Sequence, residues 1–219
     1  MEGQVLSRND ACSEDVGLLC GALFHNGDKF SFRRIPSEKT IERWLKETPD
    51  NFRFSLKAPQ KITHFSKLRG CGDTLKFFET VLTGLNGKRG SVLFQLPPSL
   101  TKDVPLLADF LEEVSKTMKQ AFEFRHSSWF DDEVFTTLGS HQAALCIAES
   151  AELATPAIAT ADFGYLRLRR EDYSTKELSE WAEKIQKLQK QWTETFVYFK
   201  HEKTGSGPVF GRQMALALG

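Results

Sequence analysis

The sequence lacks a long apolar run and an excess of charge of either sign. No apolar stretch approaches the roughly 18 to 20 residues that a membrane-spanning helix needs. Lys and Arg number 29 and so do Asp and Glu, so the formal net charge is zero. A neutral chain has no global basic field for nucleic acid, and short clusters such as "KRG" and "RLRR" do not change that. We therefore expect neither a membrane nor a nucleic acid as a partner.

Cysteine is sparse, and its four copies are scattered without a C-x-x-C pair: Cys12, Cys20, Cys71 and Cys146. Zinc sites usually bring their ligands in close pairs, and small disulfide scaffolds are denser in cysteine. We therefore predict free thiols in a reducing compartment, which places the protein in the cytoplasm.

Several catalytic motifs are also missing. There is no G-x-S-x-G elbow for serine hydrolysis, and "GLNGKRGS" precedes a strand where a phosphate-binding P-loop precedes a helix. His64, Glu123 and His126 are residue types that can bind a divalent ion, but no H-x-x-x-H or D-x-D spacing supports such a site. The sequence therefore predicts no metal ligands and leaves any cofactor unknown.

What the chain does contain is an alternation of short apolar runs with longer amphipathic ones. The short runs are rich in aromatic or β-branched residues and predict strands: "FRFSLKAP", "SVLFQLPP", "AFEFRH", "AALCIAES", "GYLRLRR" and "TFVYFKHE". The segments between them have helical spacing, and one opens with Ser174 and Glu177 in a capping-box arrangement. This order predicts a parallel sheet covered by helices, as an open sheet or as a (β/α)₈ barrel.

The two faces of the strands favour the barrel. The central strands of an open parallel sheet are apolar on both faces. Here Phe122 and Phe124 alternate with Glu123 and Arg125, and the other strands also carry their charges near the carboxyl end. A barrel turns one face of each strand inward and lines its site with those ends. We therefore predict a (β/α)₈ barrel of TIM type, complete or lacking one or two strands.

Five of these strand-end motifs, in register, resemble the YecE-like family, whose proteins have a TIM-barrel fold: "FSLKAPQKITH", "LFQLPPSL", "FEFRHSSW", "YLRLRR" and "VYFKHEKTG". The family typically opens with a strand ending in a Gly-Ser-Gly-Trp-like turn and a second strand of Val-Glu-hydrophobic-Asn type. Neither is present here, although "VGLLCGALF" could supply a replacement strand. We therefore expect a divergent segment over 1–29 and one barrel domain over 30–219. The resemblance implies a fold and a site at the strand ends, without a reaction.

The candidate binding residues share these strand ends or the turns that follow them: Lys57, Gln95, Arg125, Trp129, Arg167 and Lys200. The cations would hold an anion, and Gln95 would be fixed by the two prolines that follow it. Some have a plainer interpretation, because Lys57 could be a solvated strand end and Trp129 a core residue. We predict that Lys57, Gln95, Glu123, Arg125 and Arg167 converge on one polar pocket.

Three residues are candidates for acid–base catalysis: Glu123, His126 and His64. A Glu that points inward beside Arg125 must be paired to be tolerated, and such a pair could also be purely structural. His64 could equally be a hydrogen-bond partner in a loop. Two functions stay open. One is a barrel enzyme or binder for a small anionic or polyhydroxylated ligand, phosphorylated or not. The other is a non-catalytic descendant that binds a metabolite or a protein.

Overall fold

The computed structural model describes residues 18–19, 32–149, 153–199 and 206–218, with only the backbone for the first pair. All the named strands pair in parallel in one seven-stranded sheet, in the order β1-β7-β6-β5-β4-β3-β2. The strands are β1 (Leu18–Leu19), β2 (Phe54–Lys57), β3 (Arg89–Gln95), β4 (Lys119–Glu123), β5 (Ala144–Glu149), β6 (Phe163–Leu168) and β7 (Glu194–Phe199).

Six α-helices of the described chain follow in sequence: α1 (Glu38–Glu47), α2 (Gly72–Thr83), α3 (Val104–Glu113), α4 (Asp132–Ser140), α5 (Thr175–Gln189) and α6 (Gly207–Leu218). Their starts follow from local chemistry, because each free N–H of a first turn needs an acceptor. Asp103 accepts from Leu106, and Ser174 forms the predicted capping box with Glu177. The helical segments predicted from periodicity are therefore found.

The strand side chains divide between an outer and an inner core. Outward residues such as Phe94 and Phe122 stack on each other at 5.2 Å between ring centroids, and Phe94 meets Phe110 of α3 at 5.3 Å. The inward residues form a separate buried cluster made of the strands' own side chains: Leu93, Ala121, Ala144, Cys146, Ala148, Phe163, Tyr165, Phe196 and Tyr198. The charged strand ends lie on this inner side.

The sheet is curled so strongly that its two ends approach each other across the inner face. Tyr198 of β7 donates a hydrogen bond to Ser55 Oγ of β2 at 2.5 Å, and Ser55 is also bonded to Ser91 at 2.6 Å. A Cβ placed on Gly90 of β3 would lie 3.3 Å from the ring of Phe196. An open, two-sided sheet could not make these contacts, because four strands lie between β2 and β7 in the order.

The prediction of a parallel α/β fold is therefore confirmed, as a curled half-barrel of six strands to which β1 adds two residues. Leu18 and Leu19 pair with Thr195 and Phe196 of β7, so the segment "VGLLCGALF" does supply a strand. Within the described ranges no pairing joins β1 to β2, and a closed eight-stranded barrel is not formed there.

Candidate functional site

Polar side chains of three strands meet at the carboxyl end of the inner face. Gln95 ends β3 and lies in register with Glu123, which ends β4. Arg167 lies near the end of β6, and its flanking residues Leu166 and Leu168 pack outward. Because successive side chains alternate across a strand, the outward apolar residues direct these three polar ones inward.

Glu123 is the centre of the cluster and is fully buried. Its Oε2 accepts a hydrogen bond from Arg167, whose Nη1 also donates to Gln95 Oε1 at 3.3 Å. Its Oε1 lies 2.5 Å from Arg125 Nη2, in an ion pair without the alignment of a hydrogen bond, and 3.9 Å from Arg169 Nη1. One carboxylate is therefore shared by three guanidinium groups.

The charges determine the ionisation of this carboxylate. Burial acts to raise the pKa of Glu123, but Arg167 and Arg125 outweigh it and hold the pKa below its usual value. Glu123 is therefore ionised at neutral pH, and it is a weak base.

The same contacts act differently on the two arginines that flank Glu123. Burial acts to lower the pKa of Arg167, but the contact with Glu123 raises it overall. The pKa of Arg125 is lowered, first by burial and then by Arg169 and Arg167, although Glu123 opposes this. Arginine stays protonated in proteins, so both directions describe how well each charge is compensated. Arg125 is the less compensated of the two.

The layer below the cluster adds no negative charge. Cys146 and Tyr165 are fully buried, and burial raises the pKa of each well above its usual value, so both are neutral. Glu149, which ends β5, accepts a hydrogen bond from Tyr173 at 2.7 Å and lies 3.8 Å from Arg170, so its described partners are outside the cluster. Three arginines and one carboxylate therefore leave a local charge of about +2.

Lys57 and His64 form a second group at the end of β2. The Nζ of Lys57 lies 3.9 Å from the ring centroid of Phe32, whose ring meets the edge of His64 at 4.9 Å. His64 lies on a π-helical turn, Lys61–Phe65, and its Nδ1 is 2.8 Å from the hydroxyl of Thr63. Burial and then Lys57 lower the pKa of His64, so its ring is neutral at neutral pH.

Two further predicted residues, Trp129 and His126, lie in neither group. Trp129 is fully buried, stacks on Phe124 at 4.6 Å and donates its indole N–H to the carbonyl of Leu100 at 2.8 Å. Its assignment as a wall of the pocket is therefore corrected to the core role, because Phe124 and Trp129 both face outward. His126 accepts the N–H of Ser128 and caps a short 3₁₀ turn. Lys200 lies outside the described residues.

Arg169 was missed as a site residue. It follows the last residue of β6 and contacts Glu123, and its side chain is 26% exposed. The signal was present in "YLRLRR", where Arg169 has the same alternation as Arg167. The alternation of side-chain directions is a weak guide beyond the end of a strand, and β6 ends at Leu168.

Two surface clefts of the described chain lie elsewhere. One, of about 410 Å³, is lined by Arg69, Lys102, Asp103 and Glu133, and ion pairs join these charges to each other or to neighbours. The other, of about 530 Å³, is lined by residues of α4 and of the segment 158–162. Neither includes the strand-end arginines. The candidate site is therefore defined by its charges and not by the volume of these clefts.

Three expectations about ligands and setting can be set beside the structure. No group of three or more His, Cys, Asp or Glu side chains suited to a metal ion occurs in the described part of the chain. No helix among these residues is long and apolar enough to cross a membrane. Cys71 and Cys146 are buried free thiols. The cytoplasmic setting stays a prediction.

The fold and the strand ends define an incomplete parallel α/β barrel with an arginine-rich carboxyl end. The chain belongs to the family described as "Protein of unknown function DUF72", whose model matches residues 29–219. This confirms the YecE-like resemblance. The boundary between 1–29 and 30–219 stays a prediction.

Relatives of known sequence agree with this membership. The Escherichia coli K12 protein named UPF0759 protein YecE is 31% identical over 112 residues, which are 49% of this chain and 41% of that protein. The match thus spans less than half the length of that relative. The Bacillus subtilis protein named UPF0759 protein YunF is 24% identical over 228 aligned positions, covering 84% of this chain and 79% of that protein.

Solved structures show the same fold. The crystal structure of a DUF72 family protein from Thermotoga maritima has a TM-score of 0.76 at 24% identity, covering 86% of this chain and 82% of that one. A DUF72 family protein from Enterococcus faecalis has a TM-score of 0.73 at 19% identity, covering 86% of both chains. At these identities the likeness carries the architecture and nothing about a ligand.

Proposed function

We propose that this protein binds a small anion, or a polyhydroxylated ligand carrying a phosphate, at the carboxyl ends of its strands. The observation that supports it is the sharing of one buried carboxylate, Glu123, by Arg125, Arg167 and Arg169 within 4 Å. A barrel that needed only stability could fill such inward positions with branched apolar residues. Buried ion pairs add little to stability over an apolar packing, so an excess of cations favours a binding role.

The proposal treats these strand ends as the mouth of a (β/α)₈-type barrel, where enzymes of that architecture place their sites. Lys57 lies two strands from Glu123, which at about 4.8 Å per strand is a separation of about 10 Å. It would therefore contact a different part of the ligand from Arg125. Gln95 would orient Arg167, and Lys200 keeps its predicted role at the end of β7.

An anion panel tests the proposal through thermal unfolding. A ligand at 100 times its Kd stabilises the native state by about 2.7 kcal/mol. For a chain of this size that corresponds to a rise of about 5–11 °C in the unfolding midpoint. Sulfate, phosphate and a sugar phosphate should each raise the midpoint of the wild type. Chloride at the same ionic strength corrects for general salt effects.

Variants connect the shift to the site. Arg125→Ala should abolish it, and Arg125→Lys should weaken it, because a point charge replaces a bidentate fork. Arg43→Ala is the control, since Arg43 is 65% exposed on α1 and pairs with Glu47 at only 4.0 Å. Equal shifts in the wild type and in Arg125→Ala would show that the anion is not bound through this residue.

An enzymatic role requires an acid–base group besides the anion site. Glu123 is poorly suited, because its pKa is lowered and both its oxygens are occupied by arginines. His64 is the better candidate, since it is neutral, half-buried and next to Lys57. Hydrolysis of phosphate esters that is lost in His64→Gln, while anion binding is kept, would support the enzyme. Binding without turnover would support the non-catalytic alternative.

A further inference from the structure

We propose that the strand-end site selects dianions of tetrahedral shape, such as sulfate or a phosphate monoester, over monoanions, and that Arg169 determines this selection. The inference rests on the proposed function and makes its ligand class specific. Glu123 is then a positioning residue, which holds the arginines apart and in place, and it does not contact the ligand.

The first step is that Arg167 is already committed to protein contacts. It donates to both Glu123 and Gln95, and only 10% of its side chain is exposed. Both bonds come from its Nη1, and the low exposure of the side chain keeps its other N–H groups largely out of reach of a ligand. Its charge is compensated almost one to one by Glu123.

The second step is that Arg125 and Arg169 keep unused donors. Their side chains are 21% and 26% exposed, so both reach the solvent at the strand ends. The Nε of Arg125 is buried and makes no hydrogen bond to any described residue. Arg169 stands 3.9 Å from Glu123, too far for a hydrogen bond, and its side chain donates none to the residues that the structure describes, so its donors are open to a ligand there.

The third step is the charge. Glu123 cannot neutralise three guanidinium groups, and the neighbouring Cys146 and Tyr165 are neutral. The remaining charge of about +2 is best matched by a ligand of charge −2, because each uncompensated charge in a partly buried site is unfavourable. Lys57 at the end of β2 and His64 on the π-helical turn that follows add at most further positive charge.

The fourth step is shape. A guanidinium presents parallel N–H donors that fit two oxygens of one ligand. Two guanidinium groups can each form a bidentate hydrogen bond with a sulfate or phosphate group, through different pairs of its oxygens. A carboxylate has only two oxygens and can accept only one such pair of bonds. Arg169 supplies the second bidentate contact, so replacing Arg169 should remove the preference for the dianion.

The test compares Kd values by calorimetry for sulfate, glycerol phosphate and acetate at constant ionic strength, at pH 5 and pH 8. Sulfate is a dianion throughout, whereas a phosphate monoester takes its second charge with a pKa near about 6. Glycerol phosphate should therefore bind about tenfold more tightly at pH 8 than at pH 5. The Kd of sulfate should change less than about twofold between the two pH values, which also controls for titration of His64. Acetate should bind at least about tenfold more weakly than sulfate.

The variants assign the preference. Arg169→Ala should weaken the binding of sulfate at least about tenfold and the binding of acetate much less. Arg169→Lys should have an intermediate effect on sulfate binding. Arg170→Ala is the matched control, because it removes the next charge along the chain, one that pairs with Glu177 at 2.5 Å. If Arg169→Ala unfolds, as judged by its midpoint without ligand, Arg169→Lys replaces it in the comparison.

The outcomes separate the two proposals. No anion binding by the wild type, or binding unchanged in Arg125→Ala, overturns the anion site itself. If anion binding is lost in Arg125→Ala, three results overturn only the present inference. They are no preference for dianions, no pH effect for glycerol phosphate, and no greater loss of binding in Arg169→Ala than in Arg170→Ala. The combination of a dianion preference and its loss in Arg169→Ala supports it.

Discussion

Replacing Glu123 by Gln is the most direct test of the strand-end cluster, because it removes one charge and almost no volume. Glu123 is fully buried, and it is bonded to Arg167 and paired with Arg125 at 2.5 Å. Breaking a buried ion pair from one side typically destabilises a protein by about 3–5 kcal/mol, because the partner charges are left uncompensated. We expect a loss of this size in the free energy of unfolding at pH 7.

The assay is urea denaturation followed by circular dichroism, with the thermal midpoint as a second measurement. The midpoint concentration of urea should fall with little change in the slope, since the fold is retained. A loss of about 3–5 kcal/mol corresponds to a drop of about 6–20 °C in thermal midpoint for a chain of this size. Glu47→Gln is the control, because Glu47 is 54% exposed and its partner Arg43 is 4.0 Å away.

The pH dependence gives a second, independent check. The pKa of Glu123 in the folded state lies below its usual value, so its stabilising contribution is fully present above the unfolded value, about 4.3. It is lost as pH falls from there through the folded pKa, at up to about 1.4 kcal/mol per pH unit. The difference between wild type and Glu123→Gln should therefore be constant from pH 7 to 5.5 and shrink below about 4.3. A penalty under about 1 kcal/mol, or one independent of pH between 7 and 3, would refute this account of the cluster.

Three further changes test the surrounding fold. Trp129→Ala should destabilise by about 3–5 kcal/mol and leave the sulfate shift of the folded protein unchanged, because Trp129 is a core residue; a lost shift with a native spectrum would restore it to the site. Tyr198→Phe should lower the unfolding free energy by about 1 kcal/mol, through loss of the bond to Ser55 across the inner face, and an unchanged urea midpoint would contradict that bond. Gly164→Ala should destabilise by about 1–3 kcal/mol, because the new Cβ would lie 2.5 Å from the ring of Trp192, and a more stable variant would show that the ring can move freely.

The half of the site that could be predicted from the sequence depends on strict strand alternation. Gln95, Glu123 and Arg167 each stand between large apolar residues, so one packed face fixes the direction of the other. These three meet as expected, and Arg125 joins them through its pair with Glu123. Lys57 was expected to join them. Its described contacts are instead with the ring of Phe32 and, electrostatically, with His64.

The remainder depends on where the strands stop, which a periodic pattern does not encode. Trp129 and His126 belong to a 3₁₀ turn after β4, where capping and core packing set the orientation. The helix α6 had no predicted counterpart, because "GPVFGRQMALAL" lies after the last predicted strand, outside the alternation of strands and helices, and two glycines interrupt its helix-forming residues. β1 is two residues long, too short for any alternation to be read.

The conflict between charge and burial favours the proposal that the cluster is a binding site over the alternative that it only supports the fold. A carboxylate that served stability alone would need one partner, and a second or third cation would only add repulsion. Here Arg125 is held beside Arg167 and Arg169 although all three repel, and its pKa is lowered first by burial and then by that repulsion. A tetrahedral dianion would remove the repulsion by bridging Arg125 and Arg169, so the ligand would complete the network. Bound sulfate should then stabilise the protein by more than bound acetate does. Neutralising Arg169 should reduce the difference between these two stabilisations, because it removes part of the repulsion in the empty site.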